Sequence, residues 1–168
     1  MSLLSRIRSL MSKEETPRPE RSILSLGSGD VCEVSLVTYG VTGRTHNYSR
    51  NAVTLTLQDG TAIRYLHIEE REATLYMLYT PIDGRLDSPT EVPTTMELDG
   101  KIYLLEEHYS GMMTASGRTP FMQGGEQMVW QYQSDDKKHL RIEWQNGRFM
   151  LYEGERILPA DVQVLRGS

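Results

Sequence analysis

The stretch VTLTLQDGTAIRYLHIE, residues 53–69, decides the fold class. Its apolar residues at 53, 55 and 57 alternate with polar residues at 54, 56 and 58, which is the period of a strand with one buried face. Asp59-Gly60 separates this run from a second run at 63–68. Asp-Gly in that position predicts a hairpin with a type I′ turn, because both central residues of such a turn need a positive φ.

Two more hairpin signals follow along the chain. Asp99-Gly100 lies between the runs 95–98 and 101–106, and Asn146-Gly147 lies between 140–144 and 148–152. The nine tyrosines also favour strands over helices. We therefore predict an all-β body.

Short motifs recur at a nearly constant distance within this body. The matched pairs, 73 or 74 residues apart, are Gly-Arg-Thr at 43–45 and 117–119, Leu-x-Ile-Glu at 66–69 and 140–143, and Met-Leu-Tyr at 77–79 and 150–152. The recurrence predicts two related antiparallel β-meander halves, about 31–79 and 99–152. Each half would cover the apolar face of the other, so that they pack as a sandwich or a barrel-like body.

A short segment with helical periodicity precedes the β domain, which we place at 23–168. Residues 1–12 are predicted to form an amphipathic helix, and residues 13–22, with Pro17 and Pro19, a disordered linker. The apolar stripe and the arginines beside it are the candidate binding residues of this segment: Leu3, Leu4, Arg6, Ile7, Arg8, Leu10 and Met11.

An isolated helix of this length is marginal in water, so its apolar stripe needs a cover. One candidate is an anionic lipid surface, which would bind it weakly and reversibly. Another is the β body or the groove of a partner protein. A third alternative is that the segment has no fixed structure.

Charge and cysteine usage restrict the class of protein. The net charge of the chain is −5. Residues 1–13 hold +3, so the remaining residues together hold −8. An acidic body disfavours nucleic-acid binding. Cys32 is the single cysteine, which suits a reducing compartment. The sequence has no stretch of about 20 apolar residues, the length that is needed to span a bilayer. We therefore expect a cytoplasmic protein, with peripheral contact at the inner face of the membrane.

Polar residues that alternate with the predicted core residues are the first candidates for a catalytic or metal-binding site. His67, Glu69, Arg141 and Glu143 alternate with core positions, and we expect them on a solvated outer face, making cross-strand charge pairs. We assign no catalytic, cofactor-binding or metal-ligating residue. The four histidines have unrelated contexts, and no serine lies in a nucleophile-elbow sequence.

The tract 111–128 combines glycines with methionines, which is typical of an adaptable contact surface. The alternative is a mobile loop whose methionines fill gaps. The candidate contact residues of this loop are Met112, Met113, Phe121 and Met122.

Several of these stretches together resemble a known bacterial family. They are LGSGDV at 26–31, YGVTG at 39–43, YLHIE at 65–69, DGKIYLLEE at 99–107, YEGE at 152–155 and VQVLRGS at 162–168. From about Ile23 onward, the chain resembles domain-of-unknown-function family 4178. The resemblance implies a small β-rich protein with no catalytic residues to transfer. It also implies genomic neighbours that include polyamine-synthase-like enzymes, small membrane proteins and phage-shock protein A homologues. The opening residues 1–6 are in turn similar to the start of phage-shock protein A proteins.

We therefore expect a non-enzymatic binding module without a cofactor, accessory to envelope maintenance or stress and acting through a protein partner or a membrane surface. The alternative is a small-molecule module for a cationic metabolite such as a polyamine. The carboxylates available to such a cation are Glu69, Glu70, Glu106, Glu107 and Glu143.

Overall fold

The computed structural model describes residues 22–166, and this part of the chain is built from strands. The strands are β1 (Val31–Val34), β2 (Val37–Asn47), β3 (Ala52–Asp59), β4 (Ala62–Glu70), β5 (Thr74–Ile82), β6 (Thr95–Leu98), β7 (Lys101–Gly117), β8 (Gly125–Ser134), β9 (His139–Gln145), β10 (Arg148–Ile157) and β11 (Val162–Arg166). Within 22–166, the helical elements are three short 3-10 turns, Ile23–Ser25, Pro89–Glu91 and Pro159–Asp161. The predicted all-β class is confirmed. The helix expected at 1–12, and the linker apart from Ser22, lie outside the described residues.

All strands pair antiparallel in one continuous sheet that closes on itself. The order is β11-β1-β2-β3-β4-β5-β10-β9-β8-β7-β6, and β2 also pairs with β7. This extra pairing makes a closed ring of eight strands, β2-β3-β4-β5-β10-β9-β8-β7. The strands β1 and β11 extend the sheet beyond β2, and β6 extends it beyond β7. One face of the ring strands is thereby enclosed.

Glycines permit the close approach that closes the ring. Gly43 of β2 lies opposite Gly117 of β7. A Cβ on Gly43 would lie 1.8 Å from the carbonyl oxygen of Arg118, so any side chain here would collide with backbone. The amide of Arg118 donates to the carbonyl oxygen of Thr42 at 2.8 Å, which continues the pairing past the glycines.

The three predicted hairpins are present, and one has its turn displaced. Asp99-Gly100 and Asn146-Gly147 are two-residue turns in which both residues have positive φ, as predicted. The pairing of Asp59 with Ala62 instead makes Gly60-Thr61 the turn, with only Gly60 at positive φ. That is the pattern of a type II′ turn, so the expected type I′ turn at 59–60 is wrong by one residue.

Two apolar cores pack against the outer face of the ring strands. The first includes Leu66 and Ile68 with residues of β1 and β11, and the second includes Leu140 and Ile142 with residues of β6 and of the β5–β6 connection. These four residues were predicted to be in the core, and they are buried. Side chains that alternate with them point into the ring. No helix among residues 22–166 is long and apolar enough to cross a membrane.

Candidate functional site

The interior of the ring holds buried charged side chains. His67, Glu69, Arg141 and Glu143 are only 3–6% exposed. Their predicted place on a solvated outer face is therefore wrong. The alternation that predicted them opposite the apolar core is correct, but ring closure covers that second face with strands from the far side.

Arg141 and Glu143 form a buried ion pair at the centre of this interior. The Nε of Arg141 donates to Oε2 of Glu143 at 2.8 Å, and its Nη1 donates to the hydroxyl of Tyr109 at 3.3 Å. Burial alone would lower the pKa of Arg141, but Tyr109 and Glu143 outweigh it and raise that pKa well above the usual value. Burial, together with the Glu143 carboxylate, raises the pKa of Tyr152 well above its usual range. Because its pKa is raised, the guanidinium of Arg141 stays charged.

A second set of ion pairs closes one end of the interior. Arg50 and Arg71 each contact both Glu69 and Glu107, with 3.2 Å between Arg50 Nε and Glu69 Oε1 and 3.4 Å between Arg71 Nη2 and Glu107 Oε2. We call these four residues the ion-pair bracket. The guanidinium of Arg50 also lies 3.9 Å from the ring centre of Tyr109. The bracket joins the β2–β3 turn, β4, the β4–β5 turn and β7.

The imidazole of His67 has one satisfied and one unsatisfied nitrogen. Its Nδ1 lies 2.8 Å from Oγ1 of Thr54, while its buried Nε2 has no hydrogen-bond partner among the described residues. Burial lowers the pKa of His67 well below 6.5, and the nearby charges of Arg141, Arg50 and Arg71 lower it further. The imidazole of His67 is therefore neutral at physiological pH.

A small cavity lies beside His67. The volume that the centre of a water molecule can occupy in it is about 20 Å³, which is room for a single water. Gln127 contributes a buried Oε1 that also lacks a partner among the described residues. Phe121, from the β7–β8 loop, lines the same cavity together with Pro120. This space suits one bridging water better than a substrate.

A larger pocket, which we call the open pocket, is also lined by His67. It offers about 160 Å³ to the centres of water molecules. Glu69 and Glu107 of the bracket line it together with Glu106, for which no ion pair is found within residues 22–166. Leu75 and Met77 supply an apolar wall. Three of the five predicted carboxylates thus meet here, whereas Glu143 lies in the small cavity and Glu70 lines neither space.

The predicted contact loop is only partly a loop: Met112 and Met113 lie on strand β7, so their loop assignment is wrong, and Phe121 and Met122 lie in the β7–β8 loop. Phe121 is buried, Met113 is half-buried, and Met112 and Met122 are exposed. The side-chain Nε2 of Gln145 donates to the carbonyl oxygen of Gln123 at 2.8 Å, so buried Phe121 and bonded Gln123 fix the loop on either side of Met122. Met122 is therefore presented to solvent from an anchored loop. The other predicted contact residues, Leu3, Leu4, Arg6, Ile7, Arg8, Leu10 and Met11, lie outside the described residues.

Sequence reasoning missed three members of the interior network. Arg50 lies in a turn, and Tyr109 and Tyr152 lie on strands whose inner face was unknown before ring closure. The sequence does carry one signal that points to the interior network. The positions of His67 and Glu69 match those of Arg141 and Glu143 at the 74-residue offset, and all four are titratable. Within 22–166, no group of three or more His, Cys, Asp or Glu side chains is arranged to hold a metal ion.

Comparison with known proteins identifies the family. A family model described as "Domain of unknown function (DUF4178)" matches residues 27–159, well over half of the chain. The chain belongs to the DUF4178 family. No curated protein and no solved structure matches it. The part matched by the DUF4178 model contains the whole eight-stranded ring, with the ion-pair bracket and both spaces beside His67.

The neutral buried His67 of this DUF4178 chain predicts acid sensitivity. Its folded pKa is lower than the unfolded value of about 6.5, so the unfolded state binds more protons below that pH. The stabilisation is complete above about pH 6.5 and is lost as the pH falls, at up to about 1.4 kcal/mol per pH unit. Urea unfolding at a series of pH values should show a weaker pH dependence for His67→Gln than for wild type. Parallel curves for the two proteins would contradict the prediction.

Proposed function

We propose that the chain is a non-enzymatic binding module with an accessory role in bacterial envelope maintenance or stress. The observation that carries the proposal is that the buried charges inside the ring already pair with one another, as Arg141 does with Glu143. Their pairing and the single-water cavity suit a structural role for the interior. Binding would then use outer surfaces, of which the anchored Met122 is one.

We further propose that the two halves are related by duplication. Each half supplies five consecutive strands, β1–β5 and β6–β10. At one seam of the ring, Gly43 pairs with Gly117, which matches it at the 74-residue offset. At the other seam, Thr80 pairs with Glu153, its match at the 73-residue offset. Pairing between matched positions at both seams is what a two-fold relation between duplicated halves would produce.

Residues 2–12 would recruit the module to the inner face of the membrane or to a protein complex. In a liposome flotation assay, full-length protein is expected to float with vesicles that contain anionic lipid, because the apolar stripe inserts and the arginines meet headgroups. Protein lacking residues 1–12 should stay in the dense fraction. Vesicles of neutral lipid serve as the control and should recover less of the full-length protein. Equal recovery of both forms on anionic vesicles would contradict membrane recruitment by this segment.

The second candidate function is binding of a cationic metabolite such as a polyamine in the open pocket. The pocket supports it by combining Glu106 with the apolar wall of Leu75 and Met77, while Glu69, Glu107 and Arg71 of the ion-pair bracket also line it. An ammonium group could approach Glu106, for which no ion pair is found in the described part of the chain, while methylene groups contact the wall. Neutral His67 at the inner end would offer one more hydrogen bond.

Thermal unfolding with added spermidine tests this candidate. A ligand at about 100-fold above its Kd is expected to stabilise the protein by about 2.7 kcal/mol. Glu106→Gln should reduce the stabilisation, because it removes from the pocket the carboxylate for which no ion pair is found within residues 22–166. Glu70→Gln is the matched control, since Glu70 lies outside the pocket and should leave the stabilisation unchanged. Absence of stabilisation at millimolar spermidine would remove the polyamine alternative.

A further inference from the structure

An exposed leucine adopts a backbone conformation that leucine rarely takes. Ser35 and Leu36 form the two-residue turn between β1 and β2, with φ values of 49° and 68°. Such turns favour Asn-Gly or Asp-Gly, because a bulky side chain is strained at positive φ. The Leu36 side chain is nevertheless 90% exposed. Packing within the described body therefore gives no reason for a leucine at this position.

A second exposed leucine lies next to this turn. The amide of Ser35 donates to the carbonyl oxygen of Asp161 at 2.8 Å, and the carboxylate of Asp161 accepts from the amide of Leu158 at 3.2 Å. Leu158 is 67% exposed. Asp161 thus ties the two segments together, and we call Leu36 and Leu158 the leucine edge.

The described chain begins against the same apolar core that the strands beside this edge cover. Ile23 packs against the first apolar core, and so do Val34 and Val162, which pair with each other directly beside the leucine edge. The ten residues 13–22 span at most about 36 Å when extended. A membrane-bound segment at 2–12 would therefore keep the β body within reach of the same surface.

Charge indicates that this segment needs apolar help to keep the protein on an anionic surface. Residues 1–13 hold +3, whereas the remainder holds −8 and is repelled by anionic headgroups. An apolar contact from the body offsets this repulsion without adding charge. Leucine side chains at a tight turn can enter the headgroup region with little disturbance of the sheet.

We propose that the leucine edge is a lipid-contacting surface, in which Leu36 and Leu158 enter the headgroup region of an anionic membrane. The inference rests on the membrane recruitment proposed for residues 2–12. It adds the face of the β body that meets the lipid, and therefore the orientation of the body on the membrane.

The test compares full-length variants on vesicles of phosphatidylcholine mixed with phosphatidylglycerol. Leu36→Asn should weaken partitioning roughly tenfold, because it removes one inserted leucine. The same change should keep or raise the thermal unfolding temperature, because Asn tolerates positive φ. Leu158→Gln should also weaken partitioning. Leu104→Gln is the matched control, since Leu104 is a leucine that is 51% exposed on β7, and its partitioning should stay within about twofold of wild type.

The outcomes separate this inference from the proposed recruitment. Weaker partitioning of Leu36→Asn and Leu158→Gln, with Leu104→Gln unaffected, supports the leucine edge. Unchanged partitioning of both leucine variants, while deletion of residues 1–12 abolishes binding, overturns the leucine edge and leaves recruitment standing. Loss of binding in the leucine variants but not in the deletion overturns recruitment by residues 2–12. A change of oligomeric state in Leu36→Asn, measured by light scattering without lipid, overturns the lipid assignment in favour of a second copy of the chain.

Discussion

Replacing Glu143 by glutamine is expected to lower the free energy of unfolding by about 3–5 kcal/mol, because it leaves the buried Arg141 charge without its partner. Both side chains are almost fully buried, and the Nε of Arg141 lies 2.8 Å from the Glu143 carboxylate. Among the described residues, the other hydrogen-bond partner of Arg141 is the hydroxyl of Tyr109, which does not replace a carboxylate. Urea unfolding followed by circular dichroism measures the loss.

A double variant separates the missing charge partner from a change of shape. Arg141→Met combined with Glu143→Leu removes both charges and fills similar volume, so it is expected to recover part of the stability lost in Glu143→Gln. Double-variant recovery would show that the uncompensated charge causes most of the loss. A loss below about 1 kcal/mol for Glu143→Gln would instead mean that bulk water or another carboxylate reaches Arg141, against the buried pairing described above.

Local rules for strands and turns were enough to predict the all-β class and the three hairpins. Alternation at 53–58 predicted a half-buried strand, and Asp99-Gly100 and Asn146-Gly147 predicted two turns at the correct residues. At Asp59-Gly60 the hairpin is correct, but the turn lies at Gly60-Thr61. A register shift of one residue changes little in a local sequence pattern, so it was not visible before the pairing was known.

The interior site was beyond local rules because it depends on which strands close the ring. Alternation places His67 and Arg141 opposite the apolar core, but it cannot say whether that opposite face meets water or another strand. The pairing of β2 with β7 brings together residues about 70 positions apart. Only that long-range contact turns a polar strand face into a buried network, and only burial leaves Nε2 of His67 without a hydrogen-bond partner in the part of the chain that the structure describes.

Replacing Gly43 by alanine is expected to destabilise the protein by about 3 kcal/mol or more, because the added Cβ would lie 1.8 Å from the Arg118 carbonyl oxygen. The colliding atom belongs to backbone, so no side-chain rotation relieves the contact. Relief requires β2 and β7 to separate at the pair Gly43–Gly117, and that pairing is what closes the ring. The effect should therefore exceed an ordinary overpacking cost.

Gly40→Ala is the matched control in the same strand, since its Cβ would lie 3.9 Å from the nearest atom, the carbonyl oxygen of Gln58. It should change the stability by less than about 1 kcal/mol. Hydrogen exchange gives a second measurement, because the amide of Arg118 donates to Thr42 across the seam and should lose protection in Gly43→Ala alone. If Gly43→Ala and Gly40→Ala proved equally stable, with that amide still protected, β2 and β7 could not approach as closely as described. The face bearing His67 and Arg141 would then be open to water, and the buried network would lose its cover.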